Sequence, residues 1–440
     1  MYKIALINLG CNKNQIDGEN ILSFLTDSGF EYTNNLLSAE IIIVNTCAFI
    51  REAQIEAINA ILEASEYKKK AKCKILAVAG CFSQRFKKEA MIELPEVDLW
   101  LSISNWQKEL INFLKIKSRK KQQNKRVLFP PFHTQYLKIS EGCSRRCSFC
   151  IIPYIKGNLK SRSPNELIKE SLWLYSKGVK ELILVSQDTT SYGKDINYSL
   201  IKLLELLLKN TKFPWIRLMY LHPQAVSLDL IKLIASEKRL LPYFDIPLQH
   251  INDEILISMR RRPLSKGIYQ LIDNIRKFVP DAAIRTTFIV GYPKETNKIF
   301  CELLDFIEKT RIEHIGVFPF SPEKGTPAYL LPKKPKNNTV SKRCYELISL
   351  AREISKSFYQ SKIGKQISII VDDKLKQDLS IITPADKNLN NIFYEGRTIW
   401  DAPEVDGKTI IPAKVKIGDI INVKVISSSD YELTGVPVIN

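Results

Sequence analysis

Short apolar runs alternate with helix-like periodicity over the first part of the chain. Residues 4–10, 40–46 and 74–80 are apolar runs that predict strands. Between the first two, Ile21, Leu22, Phe24 and Leu25 recur with a helical period. Strand–helix alternation is typical of a parallel sheet covered by helices. We therefore predict an amino-terminal α/β domain over residues 1–115.

The central part of the chain repeats the same alternation six times. The predicted strands cover residues 136–140, 181–186, 215–221, 243–247, 285–290 and 314–318. A helix is well signalled after the first of them by Ser163 as cap, Pro164, Glu166 and a terminating Gly178. Residues 134–362 are thus predicted to form a partial (β/α)6 barrel, with its chemistry at the carboxyl ends of the strands.

The last part of the chain changes to short strand-like runs. Residues 367–371, 409–415 and 419–427 are separated by turn pairs such as Asp406-Gly407 and Gly418-Asp419. Residues 363–440 are predicted to form a small five-stranded β-barrel, of a kind that often binds nucleic acid; a barrel without a binding role is the alternative. Residues 116–133 are predicted to be a basic linker, and its run 115–126 a solvated hinge in preference to an RNA contact.

Charge and cysteine content restrict the class of protein. The 440 residues have a net charge of +18, which indicates either a nucleic-acid or ribonucleoprotein partner or a compositional bias. The first residues do not resemble a signal peptide and no long apolar run follows, so a cytoplasmic location is expected. The nine cysteines then favour metal or redox chemistry over disulfides.

Three cysteines lie close together directly after the first strand of the central region. Cys143, Cys147 and Cys150 can surround one metal centre. Structural zinc requires four protein ligands, and the nearest histidine, His133, precedes the strand. A 4Fe–4S cluster held by three cysteines leaves one iron free. That iron can chelate the amino and carboxylate groups of a methionine-type ligand.

Three more cysteines each follow a predicted strand of the amino-terminal region. Cys11, Cys47 and Cys81 should converge if the strands are parallel neighbours, because the carboxyl ends of such strands share one edge. Each cysteine alone is more simply a small buried hydrophobe, but three at one topological position favour a common metal site. Cys73, Cys301 and Cys344 lack such a context and are interpreted as structural.

The central cysteine spacing resembles that of the radical S-adenosylmethionine (radical SAM) superfamily, including the aromatic Phe149 before the last cysteine. The resemblance implies that an electron from the cluster cleaves SAM to methionine and a 5′-deoxyadenosyl radical. It also implies SAM contacts from Phe149 and from later strand ends, where the residues are Gln187, Asp188, Gln249 and Gly291, with His250 beside them. Gln249 is equally well explained as a buried polar residue bonded to backbone.

Nearly the whole chain resembles the methylthiotransferase family. That family combines an amino-terminal domain carrying an auxiliary cluster, here on Cys11, Cys47 and Cys81, with a radical SAM domain and a TRAM β-barrel. The resemblance therefore implies two 4Fe–4S clusters and SAM as cofactors. Similarity to the branch that modifies an aspartate β-carbon of small-subunit ribosomal protein S-twelve (uS12) lies in residues 137–153, 243–256, 284–296, 317–328 and 395–407. One departure is Lys294, where the family usually has glycine.

The resemblance also implies partners. They are uS12, free or on the ribosome near rRNA, and an electron donor such as flavodoxin or ferredoxin; the chain is expected to be a monomer. Arg397 and nearby lysines are expected to steer the enzyme toward that target. Because TRAM-type barrels more often bind RNA, methylthiolation of a tRNA adenosine stays open. A zinc-stabilised RNA-binding or ribosome assembly protein without turnover is the alternative from another class.

Overall fold

The computed structural model describes residues 2–116, 125–375 and 393–438. The amino-terminal part forms a five-stranded, fully parallel sheet of order β2-β1-β3-β4-β5. Its elements, in chain order, are β1 (Lys3–Asn8), α1 (Asn12–Asp27), β2 (Glu31–Tyr32), β3 (Ile41–Thr46), α2 (Arg51–Lys70), β4 (Ile75–Gly80), α3 (Cys81–Glu93), β5 (Leu99–Trp100) and α4 (Trp106–Leu114). All three predicted strands are present, and β3 is buried along its whole length because helices cover both faces of the sheet.

The central part contains the six predicted strands in two three-stranded parallel sheets. Their orders are β6-β9-β10 and β11-β12-β13, and a parallel bridge between Ile216 and Leu240 joins them, so the strands form one open, partial barrel. The elements are β6 (Thr134–Lys138), β7 (Ser140–Glu141), α5 (Ile152–Lys156), β8 (Lys160–Ser161), α6 (Pro164–Ser176), β9 (Glu181–Val185), α7 (Leu200–Asn210), β10 (Trp215–Leu218), α8 (Leu228–Ser236), β11 (Tyr243–Asp245), α9 (Asp253–Ser258), α10 (Ser265–Phe278), β12 (Ala283–Val290), α11 (Asn297–Thr310), β13 (His314–Pro319) and α12 (Asn337–Gln360).

Local signals fixed two features of this barrel. The hydroxyl of Ser163 accepts the Glu166 N–H and caps α6, and Gly178 follows the helix at φ +85°. Lys294 also adopts a positive φ of 73°, a conformation that suits glycine. The loop therefore keeps the glycine-like backbone although this chain has a lysine there.

The carboxy-terminal part is the predicted small barrel. It is closed, with the order β14-β15-β16-β18-β17, and it consists of β14 (Gln366–Lys374), β15 (Tyr394–Thr398), β16 (Lys408–Ile411), β17 (Ile420–Ser428) and β18 (Glu432–Pro437).

Across the described residues, no helix combines the length and apolar character that a membrane span requires.

A buried ionic network fixes this barrel to the central one. Glu181 binds Arg217 at 2.7 Å and Arg397 at 2.8 Å, and Arg397 also binds Asp372 at 2.7 Å. Burial acts to raise the pKa of Glu181, but the two guanidinium groups outweigh it and lower that pKa. The expectation that Arg397 steers the enzyme toward a partner is wrong, because the side chain is buried and satisfied within the chain.

The basic linker also ends differently from the prediction. Most of it, residues 117–124, lies outside the described residues. Arg126 is buried and ion-paired with Glu19 of α1 and Glu170 of α6. Arg126, at the end of the predicted solvated hinge, therefore links the amino-terminal part of the chain to the central part. Its burial is tolerated because a buried cation must be paired.

The network at Glu181 predicts a large effect of Arg397→Met. This change leaves Asp372 and one Glu181 oxygen without their guanidinium partner, at a cost of about 3 kcal/mol or more. The matched control is Lys408→Met, which removes an exposed pair with Glu395 worth less than about 1 kcal/mol. Thermal unfolding followed by circular dichroism should show a clearly lower midpoint for Arg397→Met alone; equal midpoints would contradict the assignment.

Candidate metal and S-adenosylmethionine site

The amino-terminal sheet brings its three predicted cysteines to one edge. Cys11 lies between β1 and α1, Cys47 directly follows β3, and Cys81 begins α3. Since β3 pairs with both β1 and β4 in parallel, the carboxyl ends of all three strands meet there. The thiols of Cys11 and Cys47 lie within electrostatic range of Cys81. We call Cys11, Cys47 and Cys81 the edge group.

Two glycines allow the chain to turn tightly at this edge. Gly10 and Gly80 have φ values of +88° and +89°, which side-chain-bearing residues rarely adopt. A Cβ on Gly10 would lie 2.7 Å from the Cβ of Cys47, and a Cβ on Gly80 would lie 2.8 Å from the Thr46 amide nitrogen. The strands can therefore come this close at the edge group only because Gly10 and Gly80 lack side chains.

Asn14 connects the strand ends that carry the edge group, a role that the sequence analysis did not predict. Its amide nitrogen donates to the Thr46 carbonyl at 2.8 Å, and its amide oxygen lies 3.9 Å from the Cys81 sulfur. Asn14 is almost fully buried. An asparagine near the start of a helix carries no sequence signal for this role, because its partners belong to other strands.

Burial raises the pKa of four of these thiols, two in each part of the site. Burial, and secondarily the neighbouring thiols, raise the pKa of Cys81 to about 12, and burial raises that of Cys47 as well. In the central loop burial raises the pKa of Cys143 to about 11 and that of Cys150 to about 12. Metal binding has to displace these protons, so assembly should release acid.

The central loop gathers the other three cysteines, which we call the loop group: Cys143, Cys147 and Cys150. The Cys143 amide donates to the Gly157 carbonyl at 3.0 Å, and the Cys150 amide donates to the Cys147 carbonyl at 3.1 Å. Arg261 donates to the Cys147 sulfur at 3.6 Å. The thiols of Cys143 and Cys147 lie within electrostatic range of Cys150, so the three members of the loop group are close to one another.

The residues predicted to contact SAM fall into different environments. Gln187 donates to Glu141 at 3.0 Å, two residues before the loop group. Asp188 is bound by Arg145 at 2.9 Å and by the hydroxyls of Thr190 and Ser191. Gln249 has a positive φ of 74° and donates to the Thr287 hydroxyl at 3.2 Å. Its side-chain amide is thus bonded to a side chain, whereas the alternative interpretation of Gln249 had it bonded to backbone; its contact with SAM stays a prediction.

Two other predicted contacts have a packing explanation. A Cβ on Gly291 would lie 2.5 Å from a methyl of Val340, so the close approach there belongs to α12. Phe149 packs against the apolar cluster of Ile255, Met259 and Tyr292. A role of either residue toward SAM stays a prediction.

Buried polar atoms without partners accompany the loop group. Among the described residues, Nη2 of Arg145, Oε1 of Gln187 and Nε of Arg261 are buried and form no hydrogen bond. Such atoms are costly unless a ligand satisfies them. Donors and an acceptor around three thiols fit a polar ligand such as SAM beside a cluster. Arg145 and Arg261 were missed by sequence reasoning, since only the fold brings Arg261 to Cys147.

The two cysteine groups are joined by the segment that follows Cys150. Ile151 and Ile155 pack into the core of the amino-terminal sheet together with Cys81 and Phe82. Lys156 pairs with Asp17 of α1 at 3.3 Å and with Glu141 at 3.5 Å. Burial acts to lower the pKa of Lys156, but the two carboxylates raise it. The edge and loop groups therefore belong to one continuous region between the two sheets.

No three or more Cys, His, Asp or Glu side chains within residues 2–116, 125–375 and 393–438 are arranged as ligands of a metal ion. The metal roles of the six cysteines therefore stay predictions. Their chemistry fits iron–sulfur clusters, because each group offers three thiols and the loop group has unsatisfied polar atoms beside it.

Comparison with known proteins identifies each part of the fold. Residues 3–102 match the family model described as uncharacterized protein family UPF0004, residues 137–307 match the radical SAM superfamily, and residues 363–438 match the TRAM domain. A solved radical SAM methyltransferase, TsrM from Kitasatospora setae, superposes with a TM-score of 0.55 at 13% identity, covering 74% of this chain and 77% of that one. The fold and the site thus define a radical SAM protein.

Full-length relatives narrow the class. The chain is 42% identical over 437 residues to the ribosomal protein uS12 methylthiotransferase RimO of Aquifex aeolicus, covering 98% of this chain and 96% of that protein. It is 40% identical over 457 residues to the RimO protein of Acetivibrio thermocellus, covering 98% of both. The chain belongs to the RimO family of radical SAM methylthiotransferases.

Because the backbone at Gly80 lies so close to Thr46, we predict that Gly80→Ala lowers the stability of the protein far more than Gly178→Ala does. Both glycines have φ near +85°, so both changes cost about 1 kcal/mol in backbone strain. Only at Gly80 would the new methyl group meet the backbone of Thr46; at Gly178 nothing lies within 4 Å. The midpoint of thermal unfolding should fall markedly further for Gly80→Ala, and similar midpoints would refute this account of the edge.

Proposed function

We propose that the protein attaches a methylthio group to the β-carbon of an aspartate in ribosomal protein uS12 by radical SAM chemistry. The observation that carries the proposal is the pairing of two three-cysteine groups across one region, in a chain 37–42% identical over nearly its full length to RimO proteins. Sulfur insertion needs a radical generator and a sulfur source near one carbon. The edge and loop groups supply a place for each.

The loop group would hold the cluster that acts on SAM. A 4Fe–4S cluster held there would supply one electron to SAM, and the chemistry this would provide is cleavage of SAM to methionine and a hydrogen-abstracting 5′-deoxyadenosyl radical. The free polar atoms of Gln187, Arg145 and Arg261 are suited to orient the charged and hydroxyl groups of SAM. The edge group would hold the second cluster, which would carry the sulfur to be inserted, and a second SAM would supply the methyl group.

Residues between the groups keep the region closed and charged in a fixed pattern. Burial acts to raise the pKa of Glu141, but Lys138 and Lys156 outweigh it and lower that pKa to about 2. Glu141 therefore stays an anion that holds Gln187 in place. The apolar contacts of Ile151 and Ile155 exclude water beside Cys81, which protects a reactive radical.

The remaining assignments follow from the proposed activity. The domain boundaries at 115, 134 and 362, a cytoplasmic location, a monomeric state and flavodoxin or ferredoxin as electron donor are part of this proposal. The TRAM match and the net charge of +18 support contact with rRNA around uS12. The same two features are the reason to test tRNA as a substrate.

Iron content tests the two-cluster assignment. After anaerobic reconstitution we expect about eight irons in the wild type and about four in the triple variant Cys11→Ala, Cys47→Ala, Cys81→Ala, since one cubane is lost. The matched control, Cys73→Ala, Cys301→Ala, Cys344→Ala, should keep all eight. Zinc without acid-labile sulfide would favour the non-catalytic alternative, and equal iron in the two triple variants would refute the edge assignment.

Substrate identity is tested by mass analysis. The reconstituted enzyme with SAM and reductant should add one methylthio group to purified uS12, and no mass to uS12 whose target aspartate is replaced by asparagine. Bulk tRNA serves as the parallel substrate. A methylthio group found only on tRNA would replace the proposed function with the tRNA activity.

A further inference from the structure

Lys13 lies where the two sheets meet, two residues after Cys11. Its side chain leaves the start of α1 and crosses to the central barrel, where its ammonium nitrogen lies 3.4 Å from the centroid of the Tyr220 ring. The residue as a whole is half-buried, and its ammonium group lies in the interior between the two sheets. A cation over an aromatic face is stabilised there without being neutralised.

Tyr220 is held rigidly to receive this cation. It follows β10 at the carboxyl end of the barrel and has a φ of +60°, which is rare for a bulky residue. Asp245 accepts its amide proton at 2.9 Å, and Asn12, the neighbour of Lys13, donates to its hydroxyl at 3.2 Å. The backbone strain and the two hydrogen bonds fix the ring under the ammonium group.

Three neighbouring cations are paired with carboxylates. Lys138 and Lys156 bind carboxylates of Asp17 and Glu141, and Arg145 binds Asp188. Lys13 differs, because no carboxylate oxygen of the described residues lies within 4.0 Å of its ammonium nitrogen. Asp245 acts on it only at longer range and is engaged by the Tyr220 amide and Arg285. Lys13 is thus a cation close to the edge group that pairs with no carboxylate of the described residues.

We propose that Lys13 binds the carboxylate of the target aspartate and so selects a carboxylate-bearing protein side chain as the substrate. The inference rests on the proposed function and names the residue that reads its substrate. The carbon that reacts is bonded directly to the carboxylate carbon, so an ion pair with Lys13 would fix the reacting atom next to the edge group. An adenosine offers no carboxylate to this cation. A site that pairs a cation with a substrate carboxylate disfavours a substrate that lacks that group.

A competing role for Lys13 is to balance the negative charge of the thiolates at Cys11. That role would affect cluster retention, whereas substrate selection would affect binding of one chemical group. The two are separated by measuring iron content and binding in the same preparations. A double-mutant cycle between Lys13 and the target carboxylate isolates their direct interaction.

The experiment uses the reconstituted full chain under anaerobic conditions with S-adenosylhomocysteine, so that no turnover occurs. Binding of fluorescently labelled uS12 and of its aspartate-to-asparagine variant is followed by anisotropy. Wild type should bind the aspartate form about tenfold or more tightly than the asparagine form, since a charged hydrogen bond is lost in the latter. For Lys13→Met, the affinities for the aspartate and asparagine forms should differ by no more than about twofold, and the iron content should be unchanged. Lys13→Arg should keep most of the preference for the aspartate form.

The matched control is Lys88→Met on the exposed side of α3, which should behave like wild type. Equal weakening of both uS12 forms by Lys13→Met, or undiminished discrimination, would overturn the inference. Loss of iron in Lys13→Met with discrimination intact in the remaining loaded protein would assign Lys13 to charge balance and also overturn it. Failure of the wild type to bind or modify uS12 would instead reject the proposed function itself.

Discussion

The whole arrangement depends on the contact that the segment after Cys150 makes with the amino-terminal sheet. Ile151 and Ile155 bury their side chains beside Cys81, and Lys156 forms its ion pairs with Asp17 and Glu141 at the same place. This contact brings the loop group against the edge group, and the ion pairs of Arg126 link the same two parts of the chain. The carboxyl ends of parallel strands, where open α/β sheets bind their ligands, therefore lie on both sides of it.

Charge is distributed in this region according to burial. Carboxylates and cations that are fully enclosed occur in networks, such as Glu181 with Arg217 and Arg397, since an unpaired buried charge is costly. These networks join the three parts of the chain to one another. Lys13 has no such carboxylate partner among the described residues, and atoms of Arg145, Gln187 and Arg261 beside the loop group have no hydrogen-bond partner. The residues proposed to bind ligands therefore differ from these networks in that the chain does not satisfy them fully.

The three cysteines of the edge group are held in place mainly by the geometry of the backbone. Gly10 and Gly80 permit turns that no other residue type adopts easily, and Asn14 bonds to backbone atoms of neighbouring strands. Such a site is rigid because every supporting atom belongs to a strand end or a helix start. Rigid positioning matters for radical chemistry, since a misplaced substrate carbon would allow side reactions.

The sequence by itself determined the strands, the parallel topology and the convergence of Cys11, Cys47 and Cys81, because apolar periodicity is local and parallel strands share an edge. It also gave the cap at Ser163 and the closed carboxy-terminal barrel. Only the tertiary structure decided the roles of Arg397 and Arg126, which sequence treats as exposed charges. It likewise decided that Arg261 approaches Cys147 and that Lys13 lies over Tyr220. The last two contacts join residues more than a hundred positions apart, and no local pattern encodes which distant side chains will share a buried space.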